Sequence, residues 1–249
     1  MKGDLSIKKI SAKTGRSGYH LINNKPTAHV LVQEFITKLC STQSKPCWFW
    51  ILICNPIAWR LFRQVSAAAQ IGLRGTYFRS RRFAKDAPIP SSKDLGPPPL
   101  EKQGEGRYTE GRDVVLYLSR NIETAAIESG PNKSKPKIFI QRFDLGIPEI
   151  KVLRLAEDLE EKYPHLHYLL LDSEYLPEET WFAPVSYRAT QFVAYLCRLK
   201  GVLAVEYPSV RGEYKSNPEA VNLVLFGKAA DMAKDMTSGD PIEYHPSYE

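Results

Sequence analysis

The chain has 249 residues, 43% apolar and 25% charged, with a formal net charge of +6. That is room for one large domain, or one domain with an extension, in an ordinary soluble globular protein. The charge is unevenly spread: residues 1–95 carry 16 Lys/Arg against 4 Asp/Glu, and residues 96–249 carry 18 against 24. A basic front on an acidic back points to an appended segment or to a surface that attracts anions. Cys40, Cys47, Cys54 and Cys197 fit no disulfide framework at this length, and the first three are too widely spaced for zinc-ligand pairs, so a reduced, cytoplasmic protein is expected. Residues 1–20 alternate basic and polar residues without an apolar stretch, so no signal peptide is expected.

In chain order, residues 1–28 show no period and read as loosely attached or disordered. In "AHVLVQEFITKLCS" (28–41), Val30, Val32, Phe35, Ile36 and Leu39 share one helical face. The apolar run Cys47–Cys54 stops at Asn55-Pro56, far short of the roughly 20 residues a membrane span needs. It is expected to pack into the core or against a partner, with a membrane surface as the other reading. "IAWRLFRQVSAAAQIG" (57–72) reads as a helix stopped by Gly72, and "GTYFRSRRF" (75–83) as a strand. The proline- and glycine-rich stretch 84–106 is a linker or a functional loop.

Beyond it, "DVVLYLS" (113–119) reads as a strand, and Asn121 as the N-cap of a helix over "IETAAIES". "KIFIQRFDL" (137–145) and "IKVLRLA" (150–156) read as two further strands, and "AEDLEEKY" (156–163) as a short helix. An amphipathic helix over 187–201 precedes strands at 202–207 and 222–226, the two separated by a turn. The expected fold class is α+β: a single mixed-sheet domain over 73–249 behind a basic, partly disordered and helical extension over 1–72.

Polar residues at element ends are the candidate site. Arg79 and Arg81 alternate with Phe78 and Ser80, which puts both guanidiniums on one strand face. Such a pair suits a diphosphate, or is a surface arginine stripe. Arg107, Tyr117 and Glu128 converge on one cleft if the helix ending at Glu128 folds back on the strand bearing Tyr117. A carboxylate at a helix C-terminus is electrostatically unfavourable, so Glu128 is either solvated at a fraying end or retained for a task. Ser209, in "EYPSVRGE", is a nucleophile, a substrate ligand or a turn-former. His165 and His167 lack a third metal ligand nearby, and nucleophile-elbow, Rossmann and P-loop patterns are absent.

In order, "TYFRSRRF", "DLGPPP", "GEGRYTEGRDVVLYLSRNIETAAIE", "YRATQFVAYLCRLKGVLAVEYPSVRGE" and "NLVLF" resemble the RES domain, a bacterial family named for its arginine, glutamate and serine. The resemblance covers roughly residues 73–227 and departs from the family's usual Asn-Pro turn at "YTEG" (108–111). It implies a fold similar to ADP-ribosyltransferases, and NAD as substrate rather than cofactor. The implied reaction is cleavage of the nicotinamide–ribose bond, with water or inorganic phosphate as co-substrate. It also implies a toxin neutralised by a helix-turn-helix antitoxin. Glu128 and Arg107 would be catalytic, and Arg79, Arg81, Tyr117 and Ser209 would bind substrate. The alternatives are ADP-ribosyl transfer to a protein target and a non-catalytic interaction protein on the same fold. The basic residues form no recognisable nucleic-acid-binding motif, so no direct nucleic-acid contact is expected.

Overall fold

A computed structural model describes residues 27–41, 47–102, 104–110, 113–129, 137–154, 159–172, 187–209 and 219–245. Residues 1–26, and most of the turn expected before the last of the sequence-predicted strands, lie outside the described residues.

Three helices lead: α1 (Ala28–Ser41), α2 (Trp48–Cys54) and α3 (Pro56–Ala68). Val32, Phe35, Ile36 and Leu39 of α1 are buried at the helical spacing the sequence shows. Asn55 ends α2 and caps α3: its Oδ1 accepts from the Ile57 and Ala58 amides at 2.8 and 3.3 Å, and Pro56 takes the first helical position. These helices share one apolar core with the later helices and the sheet: Phe35 and Trp48 lie against Phe192, with ring centroids 5.4 and 5.6 Å away.

The helix expected over 57–72 instead stops at Ala68, and strand β1 occupies Gln70–Phe83. β1 runs antiparallel to β3 (Lys137–Leu153) from Gln70 opposite Val152 to Phe83 opposite Lys137. That pairing overrides the helical pattern of residues 69–72. Gly72, the expected helix stop, sits inside the strand at φ +93, where the register shifts between Ile71 and Leu73. The extra β3 residues opposite this bulge include Pro148. This is why one 17-residue strand replaces the two expected over 137–145 and 150–156.

The remaining strands are β2 (Val115–Ser119), β4 (Val202–Pro208), β5 (Val221–Phe226) and β6 (Thr237–Tyr244). Pairing runs β1-β2-β5-β4-β3-β6, with β1 also on β3, so five strands close a ring and β6 flanks it. The β3–β4 pair is parallel and the rest antiparallel, a mixed sheet as expected. The ring encloses a second core of Leu73, Tyr77, Leu116, Leu118, Phe143, Leu145, Leu223 and Leu225.

On β2, β4 and β5 the two-residue period sends Val115, Tyr117, Val205, Tyr207, Val224 and Phe226 to the opposite face. There they meet α7 (Arg188–Leu199) and the N-terminal helices. Helix α4 (Ile122–Glu128) follows β2, capped by Asn121 Oδ1 on the Thr124 amide at 2.7 Å. Helices α5 (Leu159–Lys162) and α6 (Pro164–Asp172) follow β3, and α8 (Lys228–Met232) precedes β6. The sequence pattern suggests neither α6 nor anything after Phe226. No helix among the described residues is long and apolar enough to cross a membrane.

Candidate active site

A cleft of about 310 Å³ opens between Phe78, Arg79 and Ser80 of β1, the C-terminal half of β2, and α4. Arg79, Arg107, Tyr117 and Glu128 all line it, so three residues from one stretch of chain and one from β1 share one cavity. A smaller lobe of about 180 Å³ adjoins it, shares Arg79, Gly106 and Tyr117, and adds Pro98, Gly104 and Glu105. The proline- and glycine-rich stretch is thus a loop at the site. Its Ser92–Leu95 turn, with Leu95 buried, is fixed by a capping box between Ser91 and Asp94.

Glu128 ends α4, and that helix is placed by three contacts. Ser80 of β1 donates to the Ala125 carbonyl, Asn121 donates to the Glu219 carbonyl at 3.1 Å, and Arg82 Nε reaches Ser129 Oγ at 3.3 Å. The carboxylate is gripped from the sheet. Ser209 Oγ donates to Glu128 Oε1 at 2.6 Å, and Asn222 Nδ2 donates to the same oxygen at 2.7 Å. Ser119 Oγ in turn donates to Asn222 Oδ1 at 2.7 Å, which fixes the amide's orientation. Ser209 is buried and turned towards the carboxylate; its place is beside Glu128 rather than on the cleft wall.

Arg107 rides on a tight loop in which Gly106 and Thr109 exchange backbone hydrogen bonds at 2.9 and 3.3 Å. Helix α7 takes up the carbonyls of this loop. Thr190 donates to Arg107 O, Gln191 to Gly106 O and Thr109 O at 3.1 and 3.2 Å, and Arg198 to Tyr108 O at 3.3 Å. From the other side, Trp48 Nε1 of α2 donates to Glu110 Oε1. Tyr117 OH accepts from the Tyr108 amide at 3.0 Å, and a Cβ on Gly106 would stand 3.2 Å from that hydroxyl, so glycine permits the close approach.

Electrostatically the cleft pairs one held carboxylate with cations. Arg79 Nη1 is buried and has no hydrogen-bond partner among the described residues. Burial, then the neighbouring Arg81, push the Arg79 guanidinium below its ordinary value, yet it stays cationic at neutral pH. Arg81 itself donates to the Asp94 carbonyl and braces the loop instead of lining the cleft; the expected pair of forks is one fork and one brace. Burial raises the Tyr117 phenol to about 12, so it is a neutral hydroxyl at physiological pH. Burial, then the Glu128 charge, raise the Tyr207 phenol well above its usual range.

Asn222, Ser119 and Tyr207 escaped the sequence reading. Their one signal is position: Tyr117 and Ser119 on β2, Tyr207 on β4 and Asn222 on β5 fall on the helix-side face by simple alternation.

Arginines presented in a cleft of a mixed-sheet domain have the chemistry that pairs with anionic oxygens. The RES domain family model matches residues 58–247, and the chain belongs to that family. The match reaches further at both ends than the motifs at 73–227. Among solved structures, the M. tuberculosis MbcT–MbcA toxin–antitoxin complex is similar at 12% identity and a TM-score of 0.46. That likeness covers 76% of this chain and 93% of that one. No curated protein matches the chain.

Proposed function

We propose that the chain consumes NAD by cleaving the bond between nicotinamide and ribose, as the toxin of a toxin–antitoxin pair. The observation that carries this is Glu128, held by Ser209 and Asn222 in a cleft that also presents Arg79, Arg107 and Tyr117.

As the C1′–N bond breaks, its electron pair leaves with the pyridine nitrogen, and nicotinamide departs neutral. Positive charge builds on the ribose, as in other oxocarbenium-like transition states. Glu128 stabilises that charge or holds a ribose hydroxyl. Arg79 and Arg107 bind the diphosphate, and Tyr117 packs against nicotinamide or ribose. Water or phosphate then adds to C1′ and loses its proton to solvent. Ser209 and Asn222 aim the carboxylate and attack nothing. The likeness to ADP-ribosyltransferases, a cytoplasmic location and neutralisation by a helix-turn-helix antitoxin belong to this same reading.

Purified protein incubated with NAD is expected to release nicotinamide. The partner product is ADP-ribose for hydrolysis, ADP-ribose phosphorylated at that same anomeric carbon if only added phosphate supports turnover, and a modified protein for transfer. Glu128→Gln keeps the shape and both incoming hydrogen bonds in altered form, and is expected to lower kcat by about 10²–10³-fold. Wild-type protein that leaves NAD intact with and without phosphate, or a Glu128→Gln protein of full activity, overturns the proposal.

A further inference from the structure

Helix α2 divides cleanly: Trp48 and Leu52 are buried, while Phe49, Trp50 and Ile53 are 56%, 60% and 51% exposed. Just past the Asn55 break, α3 exposes Trp59 to 50%, with its ring stacked on Phe62 at 5.3 Å between centroids. Large apolar side chains concentrated on so short an exposed stretch mark an interaction surface. The proposed NAD cleft uses none of them.

Charge identifies the partner. Helices α2 and α3 carry no Asp or Glu, and their two charged residues, Arg60 and Arg63, are both cationic. Arg60 and Arg63 are exposed on α3, and Lys200 Nζ lies 3.7 Å from the Phe62 ring centroid. We propose that this face of α2 and α3 docks the protein onto an anionic lipid surface. Tryptophan rings settle at the boundary between headgroups and acyl chains, and flanking Lys and Arg are drawn to negative headgroups. A second copy would oppose this cationic surface to itself. Seven residues of α2 are far too few to span a bilayer, so the attachment is peripheral and reversible.

Flotation of the full chain with vesicles tests this independently of the NAD reading. The protein is expected to float with vesicles of phosphatidylcholine plus phosphatidylglycerol, to stay behind with phosphatidylcholine alone, and to be released by high salt. Trp50→Ser with Ile53→Ser, and separately Arg60→Glu with Arg63→Glu, should each weaken binding about tenfold while keeping the wild-type circular dichroism spectrum. Protein that floats with neither vesicle, or variants that bind like wild type, overturn the proposal. So does self-association abolished by the first pair of substitutions without any flotation, which assigns the face to a second copy.

Discussion

Arg79 is the residue at which stability and the proposed function pull apart. Its buried Nη1 lacks a partner among the described residues, and the neighbouring charge that acts on it is another cation, Arg81. An unpaired buried cation is destabilising, and a bound anion relieves it. Arg79→Met is therefore expected to raise the ligand-free Tm by about 2–4 °C. Pyrophosphate should raise the wild-type Tm and leave the variant's unchanged. A variant that melts lower, or that pyrophosphate still protects, rules this account out. Glu128 resolves the opposite way: its unfavourable helix-end position is offset by donors from β5 and from the residue after β4. Arg107, Tyr117 and Glu128 were legible as a group because they open, sit on the strand of, and close one clear strand-and-helix pattern. Asn222 was not, since one polar residue opening "NLVLF" looks like any strand start until β5 is laid beside β2.

At the scale of elements, the loop bearing Arg107 is fixed by side chains from two helices that sequence order keeps far apart. Helix α7 was readable from its amphipathic pattern, but nothing in that pattern says that Thr190, Gln191 and Arg198 face the carbonyls of 106–109. The Trp48–Glu110 bond reaches this loop from outside the segment matched by the family model. Trp48 precedes residues 58–247, and Glu110 lies within them. Trp48→Phe keeps an aromatic ring against Phe192 and removes the N–H donor together with one ring of the indole. On the proposed reading it lowers kcat/KM for NAD about fivefold to tenfold, with Tm within a few degrees of wild type. Glu110→Ala should match it and Glu110→Gln, which retains an acceptor, should not. Equal effects of the two Glu110 substitutions would show that the bond does not position the loop. The two missed features of the fold, the early end of α3 and the single long β3, have one origin. β1 and β3 pair along nearly their whole length, and the bulge at Gly72 absorbs Pro148. Local signals at a glycine and a proline cannot report a partner strand some seventy residues away.

Across the whole molecule, the closed sheet has one weak seam. β1 meets β2 through a single pair, Phe78 with Ser119, whereas β1 and β3 pair over thirteen positions. A polar cluster inside the ring reinforces that seam. Tyr77 OH of β1 donates to Glu206 Oε1 of β4 at 2.6 Å, and Arg120, just after β2, meets the same oxygen at 3.0 Å. Arg154, just after β3, meets Oε2 at 2.9 Å and also donates to the Gly72 carbonyl of β1 at 2.9 Å. Burial, followed by the Glu206 charge, raises the Tyr77 phenol, which keeps it a donor. One carboxylate thus ties residues from four strands or their ends. Replacing it with an apolar residue leaves the Tyr77 hydroxyl buried without its acceptor, while the half-exposed Arg120 returns to water at little cost. Glu206→Leu is accordingly expected to destabilise by about 2–4 kcal/mol in urea unfolding, and Glu206→Gln, which preserves the acceptor, by about half as much. Hydrogen exchange in the β1–β2 region should rise before exchange in β3. Uniform exchange across the sheet, or a Glu206→Leu protein as stable as wild type, would mean that the seam is held by apolar packing alone, with the cluster a passenger inside the ring.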